Sequence, residues 1–89
     1  MGEVLTTMKI MPESPEEDLE AIKATIESSM PEGAEIHEIS EEPIAFGLVA
    51  IILNFITEDG EGGSAAVEEM VSAIDGVASI EITGVGRLM

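Results

Sequence analysis

Apolar and polar positions along the chain recur with two different periods, and the switches between them divide the sequence into six segments. Val4 to Met11 (VLTTMKIM) mixes β-branched and apolar residues in short alternation and ends at Pro12, as a strand does. Ser14-Pro15-Glu16-Glu17 follows, with a serine able to cap, a proline at the first helical position and Glu17 where a capping box places its acid. A helix is predicted to begin there. Leu19, Ile22, Ile26 and Met30 recur at steps of three and four and give it one apolar stripe, while Glu16, Glu17 and Asp18 complement the positive end of its dipole. Pro31 and Gly33 stop it.

Glu35 to Glu42 (EIHEISEE) reads as a polar strand, suited to an edge where its charges discourage pairing by other chains. Pro43 marks a turn. Ile44 to Ile56 is apolar at nearly every position, which fits a buried strand or a buried helix. Its β-branched content, and its bounding by Pro43 and by the loop Glu58-Asp59-Gly60-Glu61-Gly62-Gly63, favour the strand. Ser64 can cap a second helix carrying Val67, Met70, Val71 and Ile74 at i, i+3, i+4 and i+7, with Asp75-Gly76 as its stop. Val77 to Val85 then sets Ala78, Ile80 and Ile82 against Ser79, Glu81 and Thr83, a last strand.

The order βαββαβ predicts an α+β fold: a ferredoxin-like plait, with a four-stranded antiparallel sheet and two helices on one face, because right-handed crossovers place both helices together. The first and third strands would be central. One consequence reaches beyond the fold. Both alternating sets of the third strand are apolar, Val49, Ile51, Leu53 and Phe55 on one side and Leu48, Ala50 and Ile52 on the other. The helix-free face is therefore expected to carry an apolar patch, used either by a protein partner or for self-association. Alternation alone does not say which set the helices cover.

At 89 residues there is room for one domain, residues 1–89, burying about 60–65% of its extended-chain surface with a radius of gyration near about 12 Å. Apolar residues make up 45% of the chain and aromatics 2%, so the core is aliphatic. Nineteen acids against Lys9, Lys23 and Arg87 give a formal charge of −16. A field of that sign repels phosphate backbones and anionic membranes, which argues against direct nucleic-acid or membrane binding. It attracts a basic protein partner, or it serves solubility alone. The absence of cysteine excludes disulfides and thiolate chemistry. The longest apolar run, Ile44 to Leu53, is half the length of a bilayer span, and no cationic leader opens the chain, so a cytoplasmic location is expected.

Candidate chemistry is sparse. His37 is the single histidine and reads as an edge-strand side chain, and no Ser-His-acid spacing exists to build a nucleophile. Thr57, Asp59, Glu61, Gly62 and Glu68 imitate part of a calcium loop, but the first ligand is wrong and a strand precedes it, so no metal is expected. Gly62-Gly63-Ser64 offers a capped turn with neither phosphate-loop pattern, and no cofactor is expected. The end of the chain, Gly84-Val85-Gly86-Arg87-Leu88-Met89, places a lone arginine on a short adaptable tip. It is either a solubilising charge or a planar cation reaching a phosphate or carboxylate of a partner.

Four stretches in order, MKIMPESPEEDLEAI, PIAFGLVAI, the EGG before the second helix and IDGVASIEITGVGR, resemble the guanine-nucleotide exchange domain of translation elongation factor 1-beta in its compact archaeal form. The resemblance spans essentially the whole chain. It implies a factor that promotes GDP release and GTP reloading on elongation factor 1-alpha, binding that GTPase in its GDP-bound and nucleotide-free states and making no covalent change. It further implies that the C-terminal tip approaches the magnesium and phosphate end of the GTPase pocket, with Arg87 as the basic residue flanked by Gly86 and Leu88. The family's aromatic-glycine pair of the central strand corresponds to Phe46-Gly47, a second partner-facing position. Two departures stand out: Val49 occupies the place of a lysine common in the family, and Arg87 that of a lysine in eukaryotic relatives. Two other readings of the fold are a regulatory small-molecule module, which would need a dimer and a stabilising ligand, and a structural oligomer that covers its own sheet face.

Overall fold

The computed structural model describes residues 2–58 and 63–87. Its elements are β1 (Glu3–Pro12), α1 (Leu19–Ser29), β2 (Ala34–Pro43), β3 (Val49–Glu58), α2 (Gly63–Ser72) and β4 (Val77–Arg87). The strands form one antiparallel sheet in the order β2-β3-β1-β4, so the first and third are central as the pattern predicts. The connectivity is that of the ferredoxin-like plait.

Alternation along the two central strands decides the core. Met8 lies opposite Leu53 and Ile10 opposite Ile51, and all four side chains are buried on the same face as Phe55. Ile22 and Ile26 of α1 and Val67 and Val71 of α2 pack into that cluster, which places both helices on one side of the sheet. Leu19, Met30, Met70 and Ile74 close its margin. The set of β3 residues that includes Ile51, Leu53 and Phe55 is thus the helix-covered one, and Ala50 and Ile52 belong to the open face.

That open face is less greasy than the sequence implies. Ile52, Ile56 and Leu5 are half-buried there, and between them Thr7 donates a 2.6 Å hydrogen bond to Asn54, while Lys9 pairs with Glu42 at 3.6 Å. The exposed large apolar side chains among the described residues are Ile44 and Phe46, between β2 and β3, and Val85 near the end of β4. His37 falls at the register shift between Ile36 and Glu38, an exposed bulge residue on the β2 edge.

Three element boundaries differ from expectation. The first helix begins at Leu19 and is capped by Asp18, whose carboxylate accepts from the Ala21 N–H at 3.2 Å, so Ser14 is not the cap. Residues 13–17 are needed to carry the chain from the sheet to the helix layer: the Glu13 N–H binds the Gly76 carbonyl at 2.9 Å, and the Ser14–Glu17 stretch closes a turn of its own. The second helix begins at Gly63, one residue before Ser64, and gives way after Ser72 to tighter bonds from Ala73 to Met70 and from Ile74 to Val71. The third strand begins at Val49, five residues later than its apolar run, because Ile44–Leu48 forms the hairpin turn. Hydrophobicity in that run marks the strand and also the turn, and only the backbone separates them.

Candidate functional site

The pair Phe46-Gly47 is built by the β2–β3 hairpin rather than by the central strand. The Leu48 N–H donates to the Ala45 carbonyl at 3.1 Å, and the two residues between have φ of 60° and 80°. Two successive left-handed residues define a type I′ turn, whose twist matches the flanking strands. Glycine adopts that conformation without cost. Phenylalanine does not: the first position of such a turn ordinarily holds Asn, Asp or Gly, and a bulky residue there carries roughly 1–2 kcal/mol of backbone strain. No burial offsets it, since Phe46 is 95% exposed. A strained backbone presenting the larger part of an aromatic ring to solvent is a local rule broken without a structural gain, and such positions cluster at recognition sites. Gly47 lies against Pro15, whose Cβ would be 3.8 Å from an added Cβ, so the turn rests on the β1–α1 connection.

Arg87 is the last residue of β4 and is exposed. It pairs with Val4, which on its other side pairs with Thr57, and the row continues to Ala34. Glu3 stands opposite Glu58 in the next register position, and Glu35 faces Ile56, so three carboxylates share this end with the guanidinium. Gly86 has no atom within 4 Å of an added Cβ, and Gly84 has only Thr7 at 3.8 Å. Beyond a register shift between Thr7 and Met8, the end of β4 stays paired with β1 from Gly84 to Arg87. Leu88, the other flank of the expected tip, lies outside the described residues.

The two predicted surfaces are therefore not one site. Phe46 follows the end of β2 at Pro43, beyond Val49, whereas Arg87 sits level with Val4 and Thr57. Some eight strand residues separate those rows, roughly 26 Å at the rise of an extended chain. The molecule measures 41 Å along its long axis, and the two features occupy its opposite ends. Sequence order hid this, because nothing in the spacing of Phe46 and Arg87 says that a hairpin and a final antiparallel strand terminate at opposite ends of the sheet. Val49 is the first residue of β3, half-buried.

No group of three or more His, Asp or Glu side chains is arranged to hold a metal ion among the described residues. Asp59, Glu61 and Gly62 of the apparent calcium loop, and Gly62 of the glycine turn, lie outside them. Among the described residues no helix is long and apolar enough to cross a membrane. The pKa of Lys23 is raised by hydrogen bonds first to Glu41, which ties α1 to β2, and then to Glu20 within α1.

Against known proteins, residues 5–88 match the family of the EF-1 guanine nucleotide exchange domain. Among individual proteins, the chain is 62% identical to elongation factor 1-beta of Methanobrevibacter smithii over 89 residues, covering all of both chains. It is 56% identical to elongation factor 1-beta of Methanothermobacter thermautotrophicus, again over the whole of each. It is 44% identical to elongation factor 1-beta of Natronomonas pharaonis over 99% of this chain and all of the relative.

Proposed function

The chain belongs to the EF-1 guanine nucleotide exchange domain family, and on that premise we propose that residues 1–89 act as a single exchange domain, loosening GDP from elongation factor 1-alpha so that GTP can replace it. The observation that carries this reading is the family match across nearly the whole chain. Two surfaces divide the work. The Phe46-Gly47 turn anchors the domain on the GTPase, and the β4 arm brings Arg87, between Gly86 and Leu88, to the phosphate and magnesium end of the nucleotide pocket.

The physics of that step is competition. A guanidinium beside the partner's Mg²⁺ repels the ion and takes over its phosphate oxygens with a planar, two-pronged donor. The nucleotide loses its strongest electrostatic tether, and no covalent bond is made or broken. On this reading the chain is no enzyme, and neither a cofactor nor a resident metal is part of its mechanism. Acceleration follows from preference: a factor that binds the nucleotide-free GTPase more tightly than the GDP-bound one weakens GDP by the same factor. The place of work is the cytoplasm, where the GTPase is. The charge of −16 leaves the domain without an affinity of its own for nucleic acid or membrane surfaces.

Release of a fluorescent GDP analogue from purified elongation factor 1-alpha tests the reading. Addition of the chain is expected to speed release, and Arg87→Ala to remove most of the gain. Acceleration that survives the substitution keeps the function and rejects the arm. No acceleration at saturating protein rejects the function. Weak self-association through Leu5, Ile52 and Ile56 of the open face is part of the same proposal, and a monomer mass independent of concentration in sedimentation equilibrium excludes it.

A further inference from the structure

The two helices meet the sheet side by side but leave a groove between them of about 550 Å³. Its floor is apolar, formed by Ala21 and Ile22 of α1 and by Met70 and Ile74 of α2 and the turn that follows it. Glu17, Asp18 and Asp75 line its mouth at one end, Thr25 and Ser29 line it farther along α1, and no lysine or arginine lines it. The mouth opens at the hairpin end of the molecule. Gly47 rests on Pro15, the chain runs from Pro15 through Glu17 to Asp18, and Gly76 is so close to Glu17 that an added Cβ would lie 2.6 Å from its carboxylate. Phe46 and the groove are consecutive features of one surface.

Resting on the exchange-factor reading, we propose that the surface anchored by Phe46 continues over Pro15 into this groove, and that the groove takes a basic amphipathic helix of the same GTPase. The occupant's chemistry follows from the walls. Both are α-helices whose backbone groups are bonded internally, so strand addition has nothing to pair with and recognition must come from side chains. An apolar floor calls for an aliphatic stripe. The acidic mouth calls for Lys or Arg at the edge of that stripe, and three carboxylates of one sign repel an acidic segment. A second copy of this chain is a poor fit on the same ground, since each copy carries −16.

Calorimetric titration of purified elongation factor 1-alpha with the full chain tests this. The double variant Ala73→Arg, Asp75→Lys fills the groove and inverts part of its rim on exposed positions, and Glu69→Lys gives a charge change on α2 away from the lining. The double variant is expected to bind at least tenfold more weakly with an unaltered melting temperature, and Glu69→Lys to bind within twofold of the native chain. Unchanged binding by the double variant overturns the proposal, and so does an equal loss with Glu69→Lys, which would make the effect one of bulk charge. If the double variant melts early, Thr25→Lys repeats the test from α1. Failure here is distinct from failure of the exchange reading, because the native chain's acceleration of GDP release is scored separately and Arg87→Ala leaves the groove intact.

Discussion

The hairpin end and the arm end of this sheet differ in what they present: an exposed aromatic on a left-handed turn at one, a guanidinium on the last residue of a paired strand at the other. At the hairpin end the two left-handed glycines each have a neighbour against them, and Phe46 between β2 and Gly47 is exposed. Gly47 rests on Pro15, and Gly76, with φ of 94°, is bonded through its carbonyl to Glu13 and crowded by Glu17. At the arm end, β4 passes a register shift and finishes on Arg87 beside Gly86, where an added Cβ would meet nothing within 4 Å. An anchor benefits from rigidity, because an ordered aromatic loses little entropy on binding. On the proposed reading affinity belongs to the hairpin end and rate to the arm end, and substitutions can break that assignment.

The largest effect is expected at Arg87. Arg87→Ala should slow stimulated GDP release by about 30-fold or more, the rate equivalent of the roughly 2–5 kcal/mol at stake when one partner of a desolvated charge pair is removed. Arg87→Lys should keep most of the rate, since charge is retained and only the planar fork is lost. Both variants should melt within a few degrees of the native chain, because an exposed strand end contributes little to the core. A variant that loses rate and melting temperature together would show that the arm is structural.

Phe46→Asn is expected to move two assays in opposite directions. Asparagine is favoured at the first position of a type I′ turn, so the hairpin should gain about 0.5–1 kcal/mol, raising the melting temperature by about 2–8 °C for a domain of this size. Affinity for the GTPase should fall about tenfold or more, as for loss of an aromatic anchor. Titration calorimetry and thermal unfolding on one preparation read both. A stabilised variant that binds normally would leave Phe46 a strained residue with no function.

Gly76→Ala should cost about 1–2 kcal/mol by urea unfolding, and the source of that cost is itself testable. The Glu17 carboxylate 2.6 Å from the added Cβ is the far end of a flexible side chain and can swing away, whereas φ of 94° cannot be accommodated. Adding Glu17→Ala to Gly76→Ala should therefore recover little. Full recovery would identify crowding as the cause and would loosen the link between this glycine and the mouth of the groove.

Sequence pattern carried the plait because each of its determinants is local. Alternation in Val4–Met11 and Ala78–Thr83, the 3–4 spacing of Leu19, Ile22 and Ile26, and the glycines at 33 and 76 each fix an element or its end without reference to the rest of the chain. The errors share a cause. Ser14-Pro15-Glu16-Glu17 has the signals of a helix start, but the chain must first cross from the sheet to the helix layer, and Asp18 takes the cap. PIAFGLVAI reads as one apolar strand, yet its first half is a turn, because Phe46-Gly47 adopts positive φ that hydrophobicity does not report. An exposed aromatic looks identical to a buried one in sequence. The placement of Phe46 and Arg87 at opposite ends, and the opening of the helices into a groove, are properties of topology and packing that no residue pattern encodes.

The smallest effect belongs to Lys23, which braces the hairpin end from the side. Its ammonium lies 2.7 Å from Glu41 and 2.9 Å from Glu20, so α1 is tied to β2 two residues before Pro43 and the turn that follows. The stem is largely covered, with 19% of the side chain exposed, but the ammonium itself is at the surface, where solvent screens the pair. Hydrogen bonds to Glu41 and then Glu20 raise its pKa above the ordinary 10.5. A raised folded-state value means that the protonated lysine is favoured by folding. Its contribution is thus fully present below the unfolded value near 10.5 and disappears as pH climbs through the higher folded value. The melting difference between the native chain and Lys23→Gln should therefore be small and constant from pH 7 to about 10, shrink above that, and shrink also with added salt. A difference that persisted at the alkaline limit would come from the covered stem of the side chain and not from its charge. The hairpin end would then be held by packing alone.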